Sequence, residues 1–192
     1  MIIIISSPSG AGKTSICKKI LENDQKIKIS ISDTTRIPRD NEINGKDYNF
    51  ISKEEFKRKI INNEYAEYAK VFGNYYGSLH KNLTENLNNG YDILFDIDWQ
   101  GAQQLKEIQY TNLLSFFIMP PSKDEIFKRL LSRAKISGDN ENAINLRMSQ
   151  YDTEVKRKNE YDYTIINQDL DECVIKIEQI ISERRKNLGI NS

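Results

Sequence analysis

Ile2-Ile3-Ile4-Ile5-Ser6-Ser7-Pro8-Ser9-Gly10-Ala11-Gly12-Lys13-Thr14 is the stretch that decides the fold. Its first part is a continuous apolar run, the pattern of a strand buried on both faces. Ser7 to Thr14 is a loop of small residues. Beyond it Ile16, Ile20 and Leu21 fall on one face of a helix that runs to about Asn23. Strand, small-residue loop and helix follow one another with no spare residues. Downstream the same alternation continues. Ile27, Ile29 and Ile31 alternate with polar residues as a half-buried strand. Strands are also expected at Glu64 to Val71, Tyr91 to Asp98, Leu113 to Met119 and Tyr163 to Ile166.

Helices are expected between these strands. Ser52 with Glu55 and Ser122 with Glu125 form capping boxes. They open helices over about 53–62 and from 122 through about Arg133. A polar break spans Lys135 to Asn140, and another helix runs to about Asn159. A last helix covers Asp171 to about Asn187, with Val174, Ile177 and Ile181 inward. Asn44-Gly45 predicts a hairpin and Gly73 to Gly77 a turn. The fold class is therefore α/β, with a parallel sheet covered by helices on both faces. Segment 33–80 is a small mixed insert.

Composition narrows the function. The 192 residues carry 28 basic and 28 acidic side chains, a net charge of +0. A dedicated nucleic-acid binder would carry a basic excess, so no nucleic-acid partner is expected. With 38% hydrophobic and 9% aromatic residues the chain is not a disordered one. The opening apolar run is far short of a spanning helix and lacks a basic flank, so no membrane is expected. Cys17 and Cys173 have no metal-like or redox-like spacing and read as reduced core residues of a cytoplasmic protein. A single histidine, His80, makes structural zinc unlikely on chemical grounds, and it is expected to be structural. Monomer and homo-oligomer both remain open.

Ser7 to Thr14 fits the phosphate-loop pattern G-x-x-x-x-G-K-[ST] except that Ser7 stands for the first Gly. The N–H groups of Ser9, Gly10, Ala11 and Gly12 would curl round a phosphate of ATP. Lys13 would bridge the β- and γ-phosphates, and Thr14 would reach Mg²⁺. The positive end of the following helix adds to anion binding. Asp96 and Asp98, two apart on a strand, share a face at its C-terminal end. Asp96 is the candidate for Mg²⁺ contact through water, and Asp98 lies nearer the acceptor. Arg36 and Arg39 flank Pro38, so both can point at one anion.

Further motifs follow in register. They are Ser32 to Arg39, Glu42 to Tyr48, Gly73 to Ser78, and Asp96-Ile97-Asp98-Trp99-Gln100-Gly101. Together with the loop they make the chain resemble the guanylate kinases, P-loop nucleoside monophosphate kinases. The likeness runs from about Ile2 to the last helix. It implies transfer of the γ-phosphoryl group of ATP to GMP, with dGMP a second acceptor, and Mg²⁺ as cofactor. It also implies a core at 1–32, 81–121 and 148–192, a GMP-binding insert at 33–80 and a helical lid at 122–147. By position, Arg36, Arg39, Tyr48 and Tyr76 would hold the GMP phosphate. Ser32, Glu67, Ser78 and Asp98 would read guanine. Arg129, Arg133 and Asn167 would serve ATP. Lys13, Arg36, Arg133 and Arg147 would supply the catalytic charge.

Chemistry supports the guanine assignment. Guanine offers N1–H and an N2 amino group on one edge, and an ionised carboxylate such as Glu67 accepts both. Adenine lacks that pair. Tyr75 would face away from its neighbour Tyr76 and is given no ligand role. Two rivals remain at this level. One is a non-catalytic module of the same family that binds protein partners. The other is a P-loop kinase for a different small acceptor. Lys13, Thr14, Arg133 and Arg147 weigh against the first, and Arg36, Arg39 and Glu67 against the second.

Overall fold

Why the first strand sits inside is visible in its burial: every residue of β1 (Ile2–Ser6) is shielded from solvent. A computed structural model describes residues 1–40, 42–108, 110–137 and 140–189, and not the side chains of 133 and 135–137. After β1 come α1 (Lys13–Asn23), β2 (Ile27–Ile29), β3 (Asp33–Thr34), β4 (Asn49–Phe50), α2 (Lys53–Ile61), β5 (Tyr65–Val71) and β6 (Asn74–Leu79). Then follow α3 (His80–Asn88), β7 (Asp92–Asp96), α4 (Trp99–Glu107), β8 (Leu113–Met119), α5 (Lys123–Ser137), α6 (Glu141–Lys156), β9 (Tyr163–Ile166) and α7 (Leu170–Asn187). One sheet has the order β2-β7-β1-β8-β9, and a second has β4-β3-β6-β5. β2 pairs with β7, and β8 with β9, in parallel. This is the α/β class with a parallel central sheet.

The chain divides into two compact units, residues 1–4 with 26–113 and residues 5–25 with 114–192. In the first, the small sheet is tied together through one carboxylate. Asp33 is fully buried and accepts from Lys59 Nζ at 2.7 Å, Tyr65 Oη at 2.8 Å and Asn49 Nδ2 at 3.0 Å. Four elements (β3, α2, β5, β4) thus meet at one charge. Removing one member of such a buried ion pair costs about 3–5 kcal/mol. Burial, with the Asp33 hydrogen bond, raises the Tyr65 phenol well above its ordinary range. Phe56 stacks between Tyr65 and Tyr75, with ring centroids 4.5 and 5.2 Å away. Tyr75 is therefore spent on packing.

In the second unit α7 is capped by Asp169, which accepts from the N–H groups of Asp171 and Glu172. Its inward Val174, Ile177 and Ile181 are buried, as the spacing predicts. Arg185, also buried, donates to Asp24 at 2.5 Å. Cys17 and Cys173 are buried thiols outside any disulfide, and burial pushes the Cys173 thiol up to about 11. Among the described residues no helix is long and apolar enough to cross a membrane.

The serine half of both capping boxes forms: Ser52 Oγ accepts from Glu55 N–H and Ser122 Oγ from Glu125 N–H, each at 3.1 Å. Several expectations are corrected. Gly73 to Gly77 is not one turn; the reversal is confined to Phe72-Gly73, and β6 begins at Asn74. Phe72 and Gly73 both have positive φ, so two residues suffice. Asn44-Gly45 does not join two strands: β4 runs parallel to β3 and no hairpin ladder flanks the pair. β2 stops at Ile29, before Ile31. The strand expected over Tyr91 to Asp98 is β7, which ends at Asp96, and Asp98 instead caps α4. α5 continues four residues past Arg133. Helices α3 and α4 are additions. Leu83 alone is buried in the former, while the glycine of the latter weakens a helical pattern.

Candidate functional site

The first unit gathers two groups of predicted residues. Strand pairing sets Glu67 opposite Ser78, Asp33 opposite Gly77, and Thr34 opposite Tyr76. Ser32 and Ser78 are both buried, and their hydroxyls lie 3.1 Å apart. Glu67 is only 2% exposed, so a carboxylate has been placed where bulk water cannot solvate it. Such a group needs compensating donors. Asp98 stands at the start of α4. Its Oδ1 accepts from the N–H groups of Gln100 at 3.0 Å and Gly101 at 3.1 Å, and its Oδ2 from Gln100 Nε2 at 2.8 Å. Ser32, Ser78, Glu67 and Asp98 therefore belong to one neighbourhood, the last joined through Gly101, whose Cα faces the Glu67 carboxylate.

The second group surrounds Arg36. Its guanidinium donates to Glu42 Oε1 at 2.7 Å and to the Ile37 carbonyl at 2.9 Å. The same group lies 5.4 Å from the Tyr48 ring centroid and 5.9 Å from that of Phe50. Tyr48 and Tyr76 meet edge to face with centroids 5.9 Å apart. Arg39 joins by donating its backbone N–H to Glu42 Oε2 at 2.9 Å and Nη1 to Oε1 at 3.4 Å. Burial disfavours the charge on Glu42, but the hydrogen bonds from Arg36 and the Arg39 backbone outweigh it and hold the carboxyl below its usual range. Burial likewise opposes the Arg36 charge, and the Glu42 hydrogen bond overcomes it, raising that pKa. Two arginines thus share one carboxylate oxygen, with the Tyr48 ring beside Arg36 and the Tyr76 ring against Tyr48. That is a site whose donors suit a phosphate dianion.

The second unit holds the loop. Gly10 and Gly12 take φ of +89° and +97°, conformations that favour glycine. A side chain on Gly12 would overlap Asn167 Nδ2. Asn167, buried, donates that nitrogen to the Ala11 carbonyl at 2.8 Å. Arg129 donates Nε to Glu125 at 3.0 Å, Nη1 to Ala11 O at 3.5 Å and Nη2 to Asn167 O at 3.4 Å. Arg147 Nη1 donates to Ser9 Oγ at 3.2 Å, and Ser9 N–H to Glu154 Oε2 at 3.4 Å. Ser9, Gly10, Ala11, Gly12, Arg129, Arg147 and Asn167 are thus brought together. Lys13 and Thr14 form the first turn of α1, half-buried and exposed respectively. The Arg133 side chain lies outside the described residues.

Among the described residues no three His, Cys, Asp or Glu side chains cluster to hold an ion. Mg²⁺ does not need such a cage. It keeps waters and takes one or two hard oxygen donors plus substrate phosphates. The Thr14 hydroxyl in the second unit and, taken by itself, the half-buried Asp96 carboxylate in the first are hard oxygen donors of that kind. His80, exposed, opens α3 and carries no sign of a catalytic role.

Sequence reasoning gave no role to Glu42, Gly101, Gln104, Phe50 or Glu154. The first two stood inside quoted motifs, so a signal existed. The other three are recognisable only through contacts across the fold.

A family model described as guanylate kinase matches residues 1–184. A guanylate kinase of Rickettsia bellii is 46% identical over 186 residues, covering 97% of this chain and 95% of its own. One of Rickettsia felis is 47% identical over 187 residues, covering 97% and 95%. The crystal structure of guanylate kinase from Anaplasma phagocytophilum superposes with a TM-score of 0.79 at 38% identity, covering 95% of this chain and 85% of its own.

Proposed function

This chain belongs to the guanylate kinase family and transfers the γ-phosphoryl group of ATP to GMP, giving ADP and GDP; from that premise we propose which residues do the work. The acceptor is read in the first unit. Glu67 accepts from guanine N1–H and the N2 amino group, while Ser32 and Ser78, whose hydroxyls both donate and accept, complete the edge. Asp98 shapes that pocket as the cap of α4 and contributes its remaining acceptor capacity. Arg36, Arg39, Tyr48 and Tyr76 take the GMP phosphate. Asp33 and Glu42 are the carboxylates that hold this apparatus in place.

The donor is held in the second unit. N–H groups of Ser9, Gly10, Ala11 and Gly12 receive ATP phosphates, and Lys13 follows the β- and γ-phosphates. Arg129 and Asn167 support the loop through the Ala11 carbonyl. Arg147 and Arg133 supply positive charge to the transferring group. Thr14 would hold Mg²⁺ and Asp96 would contact the ion through water; when bound it would neutralise phosphate charge. An oxygen of the GMP phosphate attacks the γ-phosphorus, a P–O bond forms, and the bond to the ADP oxygen breaks. No covalent enzyme intermediate is needed, and catalysis is positioning plus charge stabilisation. Residues 33–80 act as the acceptor insert and 122–147 as the lid. The reaction takes place in the cytoplasm, and dGMP is a second acceptor.

One observation carries the acceptor assignment: a buried carboxylate, Glu67, paired in register with Ser78. ADP formation measured with GMP, AMP, UMP and CMP tests it. GMP should be preferred over AMP by about 10⁴-fold, the discrimination available when a site's buried polar group is left unpaired. Equal rates with AMP would reject the role of Glu67.

A further inference from the structure

The guanine reading just proposed leaves open what aims Glu67. Its own strand does not fix it fully: the β5–β6 ladder shifts register between Tyr65 and Glu67. Such a bulge re-aims the side chain it precedes. β5 is also the last strand of its sheet, so one side of it needs another partner.

Helix α4 supplies that partner. Gln104 Oε1 accepts from the Tyr68 N–H at 3.0 Å, and its Nε2 donates to the Tyr68 carbonyl at 2.7 Å. A side-chain amide therefore replaces a neighbouring strand at the residue directly after Glu67. One turn earlier stands Gly101. A Cβ there would overlap Glu67 Oε2, and would lie 3.0 Å from Cδ and 3.4 Å from Ile97 Cδ1. Gly101 does not have a positive φ, so its backbone does not require glycine. Within a helix, glycine is less stable than alanine. What requires its absence of a side chain is the carboxylate. Asp98 fixes the same turn by accepting the Gly101 N–H.

We propose that Gly101 and Gln104 are positioning residues that determine specificity. They aim the Glu67 carboxylate and so set the preference for a purine with two adjacent donors. The inference rests on the reading of Glu67 above. Inosine monophosphate is the informative probe, because its base keeps N1–H and lacks the 2-amino group.

The experiment measures kcat/KM for GMP and for inosine monophosphate in the wild type, Glu67→Gln, Gly101→Ala, Gln104→Ala and the Glu67→Gln/Gly101→Ala double variant. Thermal midpoints and KM for ATP are recorded alongside. Gly101→Ala and Gln104→Ala should each lower the GMP value by about tenfold or more, the range of a hydrogen bond to a charged group. The inosine value should fall less, so the ratio collapses towards that of Glu67→Gln. KM for ATP should stay put. If Gly101 acts through Glu67, the double variant has the ratio of Glu67→Gln alone, with no added loss. Equal losses on both substrates, or additive losses in the double variant, would mean a merely structural role and overturn the proposal. Should Gly101→Ala not fold, Gln104→Ala decides by the same ratio. If Glu67→Gln keeps the wild-type ratio, the reading of Glu67 falls and this inference with it. If Glu67→Gln loses the ratio while Gly101→Ala and Gln104→Ala keep it, only this inference falls.

Discussion

The two units support their nucleotide groups by different means. In residues 26–113 the proposed recognising groups are side chains, and other side chains hold them. Glu42 holds Arg36 and Arg39, and Asp33 pins β3 between them and the rest of the sheet. In the loop-bearing unit the proposed recognising groups are largely backbone N–H, and side chains shape that backbone from its carbonyl side. Asn167 and Arg129 both donate to the Ala11 carbonyl. The difference follows the chemistry required. A triphosphate chain is the same in every nucleoside triphosphate, so a backbone nest suffices to hold it. A base is told apart only by its donors and acceptors, which demands a carboxylate of fixed aim. Changes in the first unit should therefore alter which acceptor is used, and changes in the second should alter whether transfer occurs.

Lys13→Ala makes the sharpest test of that contrast. It removes the lysine charge expected to follow the β- and γ-phosphates. Turnover should drop by on the order of 10³-fold or more, the scale of a lost phosphoryl-transfer cation. The circular dichroism spectrum should be unchanged, and GMP affinity measured by titration without ATP should stay within about twofold, as for independent sites. Near-normal turnover would sink the loop assignment. A matching loss of GMP affinity would break the contrast between the units.

Arg36→Lys comes next in size. Lysine keeps the charge but not the planar fork, and it cannot serve a carboxylate and a phosphate side by side. One or two charge-assisted hydrogen bonds are lost, about 1.5–3 kcal/mol. KM for GMP should rise about 10- to 100-fold with KM for ATP nearly constant, as steady-state kinetics on both substrates will show. Equal rises in both constants would count against a unit-specific role.

How far the sequence carried this reading depends on the range of the interactions. The loop was legible because Gly10, Gly12 and Lys13 act locally: backbone conformation and spacing carry the message. Ser32 and Ser78 were named inside motifs and Glu67 by its position in the resemblance; pairing of β5 with β6 brings Glu67 to Ser78, and Ser32 meets Ser78 through its hydroxyl. Helix α4 was missed because Gly101 weakens the local helical signal, yet that glycine makes room for Glu67. Asp98 was read as a strand residue for the same reason, since only the presence of α4 reveals a cap. Gln104 was illegible in principle: its partner, Tyr68, lies 36 residues away.

Glu42→Gln gives the smallest effect and separates charge from shape in the acceptor unit. Glutamine keeps a carbonyl oxygen for Arg36 and loses the negative charge between two arginines. At neutral pH the variant should be less stable by about 1 kcal/mol, the difference between a hydrogen bond to a charged acceptor and one to a neutral acceptor. The pH dependence gives the direction. Burial works against the Glu42 charge, but the Arg36 and Arg39 hydrogen bonds win and its folded pKa lies below the ordinary value of 4.5. A depressed carboxyl contributes its full stability above the unfolded pKa and loses it as pH falls through the folded one. Denaturant melts from pH 7 downward should therefore show the wild type and the variant converging in the acid range. A gap that stays constant through that range would mean that Glu42 acts by packing alone. A gap that closes would place the charge of Glu42, balanced between Arg36 and Arg39, among the forces that keep the acceptor unit ready for a phosphate.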